Sequence, residues 1–460
     1  MTQSPLRYLQ PQLSLPLRAW LINHLPALPR IHRMLLSQRA IPRMRRLLSS
    51  SSDQAAEANA QLESLHEVST AVDLAALGRR AEAAPLLERA VEICSGSMGE
   101  DSALTRAAVH RLAQVLYDDQ RFGAAEATLR KGESNARKQF PTELLLLSKA
   151  QLFQGKIPVA VETSSRAVDL CQQDEDNTPD TDALGQALRQ LGVIQALSGE
   201  EDDAETSLLR AARLGSTSAD QGKGLAAVAA FNIARGDEQS VEEAVELLNE
   251  ACATTTKSDE HKEPTATAEE ESENERGDGN GAAASAATSK LARLAHASVL
   301  STAAQGELIL ERGTATASER LGEALRIREQ LLPIGHPATA WTLSLLARCH
   351  VAAGEAVTAE GLFRAALDSL QGIAEEADDG IARSQRSAGA VALPLLFASP
   401  LHPYTKAATL RGYSELLLQW EKREAEGEVV ARQAEKVESS LLLKPPGGLT
   451  LHMLHLDDVY

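Results

Sequence analysis

The residue types best suited to chemistry stand near the end of this sequence. His452-x-x-His455 is followed by Asp457 and Asp458, and on one helical face such a set could offer nitrogen and oxygen to a metal ion. Two histidines are half of a ligand set, and the same spacing suits an exposed polar tail, so no metal is expected. Cys349-His350 pairs a thiol with an imidazole. Adjacent residues of a helix point in different directions, which argues against a nucleophile and its base. Cys94 and Cys171 each follow a small residue, Ala83 and Ala160, by 11 positions, and that recurrence marks a packing position. His336 and His402 precede Pro337 and Pro403, and proline suits the first turn of a helix, so these read as helix starts. No glycine-rich phosphate loop or nucleophile motif appears. The expectation is a protein with no catalytic residue, no cofactor and no metal. An enzyme would have to house its site in the two non-repetitive stretches described below, and no constellation there supports one.

The elements that would position such residues are copies of one unit. His336 to Leu367 reads as a helix, a turn at Gly354 and a second helix bearing Ala359, Phe363 and Ala366. Positions i, i+4 and i+7 lie on one face, where small residues let helices approach and a large one fills the gap. The same triple recurs as Ala83, Leu87, Ala90; Ala125, Leu129, Gly132; Ala160, Ser164, Ala167; Ala204, Leu208, Ala211; Ala244, Leu248, Ala251; and Ala317, Leu321, Ala324. An eighth, degraded copy is expected at Ala425 and Val429, with Arg432 in place of the last small residue. Most spacings fall between 35 and 44 residues. Two are longer, 73 from Ala244 to Ala317 and 66 from Ala359 to Ala425. The first holds 254–289, rich in Glu, Thr, Ser, Gly and Ala and expected to be a disordered linker. The second holds an insertion over 372–398. The organisation expected is thus repeats 1–5 over 57–253, repeats 6–7 over 290–371, a degenerate repeat 8 over 399–440 and a tail over 441–460.

Composition agrees. Aromatics are 3% of the 460 residues, and Ala and Leu supply most of the apolar 43%, a mix that favours helix over sheet. Four cysteines lie far apart without CxxC spacing, which fits a reducing compartment. No apolar run is long enough for a transmembrane helix. The net charge of −18 conceals an asymmetry: residues 1–52 hold eight Arg and no acid, leaving 38 basic against 64 acidic residues in the remainder. That acidic body argues against nucleic-acid binding. The Arg-rich, acid-free start resembles a mitochondrial presequence, with Arg46-Leu47-Leu48-Ser49 similar to a processing site cut near Leu48.

The repeats resemble the tetratricopeptide superfamily. Leu188-x-x-Leu191-Gly192, Gly199, Ala204, Leu208 and Ala211 follow its signature, and the long period with His-Pro before a first helix is similar to kinesin light chain repeats. The resemblance implies an all-α, right-handed superhelix of seven to eight helix pairs whose first helices line a concave groove. It also implies a protein-binding scaffold, in mitochondria for assembly or maintenance of a membrane complex; the alternative is a cytosolic kinesin-light-chain-like cargo adaptor. A protein or peptide would lie in the groove. Its expected contacts are His110, Gln114 and Tyr117; Gln186 and Arg189; Trp341, Ser344 and Arg348; and Arg411. Arg189, one residue after Leu188 and three before Gly192, is expected to face away from the second helix, and Trp341 is expected to be exposed. The arginines would favour an acidic or amphipathic partner segment. Superfamily members that grip a C-terminal carboxylate use Lys and Asn where this chain has residues such as Val72, Gln114 and Val193, which does not support that ligand.

Overall fold

A computed structural model describes residues 61–441 apart from 64, 77–78, 136–139, 174–180, 216–217, 236–237, 261–278, 312, 333–335 and 376–401, all within the compact unit Asn59–Tyr460. The segment expected to be a presequence, with the cut expected near Leu48, most of the 372–398 insertion and the His452/His455 pair lie outside the described residues. Every regular element among the described residues is a helix, in successive pairs. They are α1 (His66–Ala76) with α2 (Arg80–Met98), α3 (Ala103–Asp118) with α4 (Phe122–Asn135), and α5 (Pro141–Phe153) with α6 (Ile157–Gln173). There follow α7 (Thr181–Ser198) with α8 (Glu201–Leu214), α9 (Ser218–Arg235) with α10 (Glu238–Glu260), and α11 (Gly279–Ile309) with α12 (Thr314–Leu331). The last are α13 (Pro337–Ala352) with α14 (Ala356–Glu375) and α15 (His402–Leu418) with α16 (Glu424–Ser440). Each helix packs along the next, and from the second pair on each first helix also touches the first helix of the following pair, which is the arrangement of a helical solenoid.

The small–large–small faces do what their spacing predicts. Ala204, Leu208, Ala211, Ala317, Leu321, Ala324, Ala359, Phe363 and Ala366 are fully buried. At Gly192 a Cβ would stand 2.6 Å from Leu208 Cγ, so the approach of α7 to α8 requires glycine there.

Five of the turns inside the pairs share one backbone closure. The amides of Arg79, Arg121, Lys156, Glu200 and Glu355 donate to the carbonyls of Leu74, Leu116, Gln151, Gln195 and His350 at 2.8–3.0 Å. Each donor lies four residues before its triple's first small residue. This is the six-residue closure of a helix C-terminus, which needs a left-handed residue just before the donor. Gly155, Gly199 and Gly354 supply it with φ of 74°, 84° and 77°, and in the second pair Gln120 occupies the same place at φ 60°. Helix starts are locally specified too. His336 Nδ1 accepts from the Ala338 amide at 3.1 Å, and Pro337 follows it, so this His-Pro is a helix cap as read.

Three expectations need correction. First, the eighth repeat packs through residues other than those its spacing suggested. Gly427 and Ala434 are buried and Ala431 half-buried, while Ala425, Val429 and Arg432 are exposed. Its buried face is Gly427, Val430 and Ala434. Gly427 sits against Leu418, with a Cβ there 3.0 Å from the Leu418 amide nitrogen, so the longer turn after α15 moves the register by two. Second, helix covers both ends of the 254–289 stretch: α10 runs through Glu260 and α11 begins at Gly279. At the second end the alanine-rich sequence over 282–287 has the propensity to extend a helix from an anchored neighbour. Third, Arg189 does not turn its back on α8. Gly185, Arg189 and Gly192 are spaced i, i+4 and i+7 and share the face that looks on Ala211 and Leu208.

Candidate partner-binding face

A concave groove would be built from the first helices of each pair. In the middle of the array these helices are largely apolar and are buried over most of their circumference. Leu144 to Ser148 are five consecutive buried residues of α5, and Gln190 to Leu197 eight of α7. In α11 burial is continuous from Leu294 to Gly306. A helix that offers apolar residues around its whole circumference must be enclosed around its whole circumference. The second helices differ: α6, α8 and α16 carry charged residues on one side and pack with the other.

Polar groups inside this inner layer are hydrogen-bonded across helices. Gln190 Nε2 donates to the Leu145 carbonyl at 2.7 Å and also to Ser148 Oγ, bridging α7 to α5. Thr163 Oγ1 donates to Gln151 at 2.9 Å and Ser207 Oγ to Gln195 at 2.8 Å, the same bond in successive pairs. Arg328 of α12 is 3% exposed, and its guanidinium donates to Ser301 Oγ at 2.9 Å, to the Ala338 carbonyl at 3.2 Å and to Thr342 Oγ1. These contacts satisfy polar atoms that burial would otherwise leave costly.

The residues expected to bind a partner fall into three groups. Tyr117, Trp341 and Ser344 are 5%, 4% and 0% exposed. Trp341 is therefore a core residue, which corrects the expectation of an exposed anchor: α13 is enclosed like its neighbours, so the side of Trp341 turned from α14 is covered too. Gln114 is half-buried and donates to Asp118 Oδ1 at 3.0 Å, while His110 encloses its Nδ1 without a hydrogen bond. Burial, and next the charge of Arg111, lower the His110 pKa to about 4, so the ring is neutral near pH 7. Gln186 and Arg189 are half-buried on α7. Arg189 faces Lys223 of α9, whose pKa falls to about 8 chiefly through burial; Asp220 opposes that fall and Arg189 adds to it.

The expected positive strip is largely offset. Arg348 leaves its Nε enclosed without a hydrogen bond, and burial lowers its pKa against the opposing pull of Glu415. Arg411 is exposed and holds Glu438 of α16 through two bonds of 3.0 and 2.6 Å. The structure thus brings Gln186, Arg189 and Lys223 into one neighbourhood and leaves Arg411 on another face.

Reading the sequence missed Phe122, Phe153 and Tyr404. Phe122 stacks on Phe153 with ring centroids 5.3 Å apart, and Tyr117 meets both edge-on at 5.6 and 5.8 Å. The available signal was the run Leu144 to Leu147, whose lack of a polar side announces a helix with neighbours all round. Among the described residues no three His, Cys, Asp or Glu side chains are grouped as metal ligands, and no helix is long and apolar enough to cross a membrane.

No family model matches this chain, and no curated protein does. One similar solved structure is the assembly chaperone of RpL4 (Acl4), residues 1–338, at 15% identity and a TM-score of 0.31, covering 65% of this chain and 97% of that one. An overlap this loose transfers neither a partner nor a site.

Proposed function

We propose that this chain is a non-catalytic protein-binding scaffold of tetratricopeptide type that works in mitochondria, in assembly or maintenance of a membrane complex. The observation that carries the reading is the repeated helix pair itself, joined in five pairs by the same turn and packed through small residues on the second helix. Stacked pairs of this kind present extended surfaces that suit a partner segment better than a small substrate. The compartment rests on the eight Arg and no acid before Asp53. Gln186 and Arg189 are the residues of the reading that keep part of their surface open, Arg189 at the border with α8.

Proximity labelling in living cells tests it, using the full chain and the double change Gln186→Ala with Arg189→Ala. The expected result is a defined set of mitochondrial neighbours that the double change loses while the melting temperature stays within a few degrees. Neighbours outside mitochondria would overturn the compartment. An identical neighbour set for both proteins would move binding off this part of α7.

A further inference from the structure

Arginines on two of the first helices are matched by carboxylates. On α3, Arg106 meets Glu143 at 2.5 Å and Arg111 meets Glu63 at 3.0 Å. On α15, Arg411 holds Glu438 at 2.6 Å. Arg348 of α13 differs: among the described residues no hydrogen bond or ion pair reaches it. Its Nε is enclosed without an acceptor. Burial disfavours its charge, and the one counterweight is Glu415, which is exposed on α15 and acts from a distance without forming an ion pair.

Three helices seat this side chain. A Cβ at Gly412 of α15 would stand 3.3 Å from Arg348 Nε and 3.1 Å from two carbons of the Phe363 ring, which α14 contributes and which is fully buried. Glycine at 412 thus leaves the space that guanidinium and ring share. Arg348 as a whole is half-buried, so with Nε inside it is the fork of terminal nitrogens that reaches the surface. An enclosed charge without a partner costs a fold stability. The charge of Arg348 therefore does not hold the helices together; what it provides is a positioned, unoccupied donor fork.

We infer that Arg348 is a preformed socket for a single carboxylate, the Asp or Glu side chain of a protein segment lying over α13 and α15. The planar fork matches a carboxylate through two parallel N–H···O bonds. Among the described residues no second cation acts on the site. One positive centre holds a free anion too weakly to offset its lost freedom, so the carboxylate must arrive on a segment that makes other contacts. A long acidic run does not fit, because the chain beyond residue 52 carries 38 basic against 64 acidic residues and repels it. The occupant is one acidic residue within an otherwise uncharged segment. Such a socket presupposes the protein-binding role proposed above and narrows it to one group and one ligand chemistry.

The test uses the full chain with random peptides displayed on phage as the probe. Arg348→Met keeps the stem and removes the charge, and Arg348→Lys keeps the charge and loses the fork. The unaltered chain should select peptides with Asp or Glu at one fixed position, and Arg348→Met should lose that selection. For a selected peptide, exchanging the carboxylate for the matching amide should weaken binding to the unaltered chain about tenfold or more, and leave binding to Arg348→Met unchanged. Arg348→Lys should fall between the two. Arg348→Met should melt no lower than the unaltered chain, because it removes an unpaired charge. Peptides selected without an acidic position, or with the same one by both proteins, would overturn the socket and leave the scaffold role standing. A melting temperature several degrees lower in Arg348→Met would overturn it as well, by giving the charge a structural role. Failure to select any peptide would sink the socket together with the protein-binding role.

Discussion

Gln120 offers a test in which one backbone angle is isolated. It takes the left-handed position of the α3–α4 turn at φ 60°, where three other turns have glycine. A residue with a Cβ held there costs about 1–2 kcal/mol. Replacing it by glycine relieves that cost but adds freedom to the unfolded chain worth about 0.5–1 kcal/mol. The Gln120 side chain is exposed, so no packing is lost. Gln120→Gly should therefore stabilise by about 0.5–1 kcal/mol, the difference between those two effects. Gly354→Ala is the reciprocal experiment. A Cβ at Gly354 meets no atom within 4 Å, so the change acts on the backbone alone and should destabilise by a similar amount. Urea denaturation gives the midpoints, and hydrogen exchange around 116–121 and 350–355 shows whether each effect is local to its turn. A destabilising Gln120→Gly, or a neutral Gly354→Ala, would refute the claim that the turns are equivalent.

Two further outcomes follow from burial. Trp341→Ala should cost about 3–5 kcal/mol, the usual range for truncating an enclosed Trp. A loss below about 1 kcal/mol in urea denaturation would mean that the ring is not core. Stability should fall as pH drops from about 6.5 towards 4, because the unfolded chain takes up a proton that His110 refuses in the folded one. His110→Gln should flatten that part of the profile, and an identical slope in both proteins would show that His110 does not contribute.

Much of the fold was legible because its determinants are local. A turn of the type at Gly199 announces itself by glycine, and the face at Ala204, Leu208 and Ala211 by spacing. Both depend on residues within one repeat, and both stand where spacing put them. The eighth register failed because Ala425 and Gly427 are equally small, and only the contact with Leu418 decides between them. Trp341 failed for a related reason. Spacing shows which side of a helix faces its own partner, but says nothing of what covers the other side. In α13 that side is enclosed by parts of the chain distant in sequence. Tyr404 is the extreme case: its partner Phe153 is 251 positions away, and no periodicity links the two.

The turns have a consequence for where this chain can change length. Within pairs, the described connections are brief, as from Asp118 to Phe122, Phe153 to Ile157, Ser198 to Glu201 and Ala352 to Ala356. Their backbone closures bind helix end to helix start and leave no slack for an added residue. Between pairs the connections range from Leu214 to Ser218 up to Glu260 to Gly279 and Glu375 to His402. Paired helices run in alternating directions, so all the connections between pairs emerge along one edge of the ribbon and all the tight turns along the other. Growth by insertion is therefore concentrated on one margin, the longer turn from Leu418 to Glu424 being the exception on the other. That margin can accumulate new sequence while the opposite one keeps the spacing of the array.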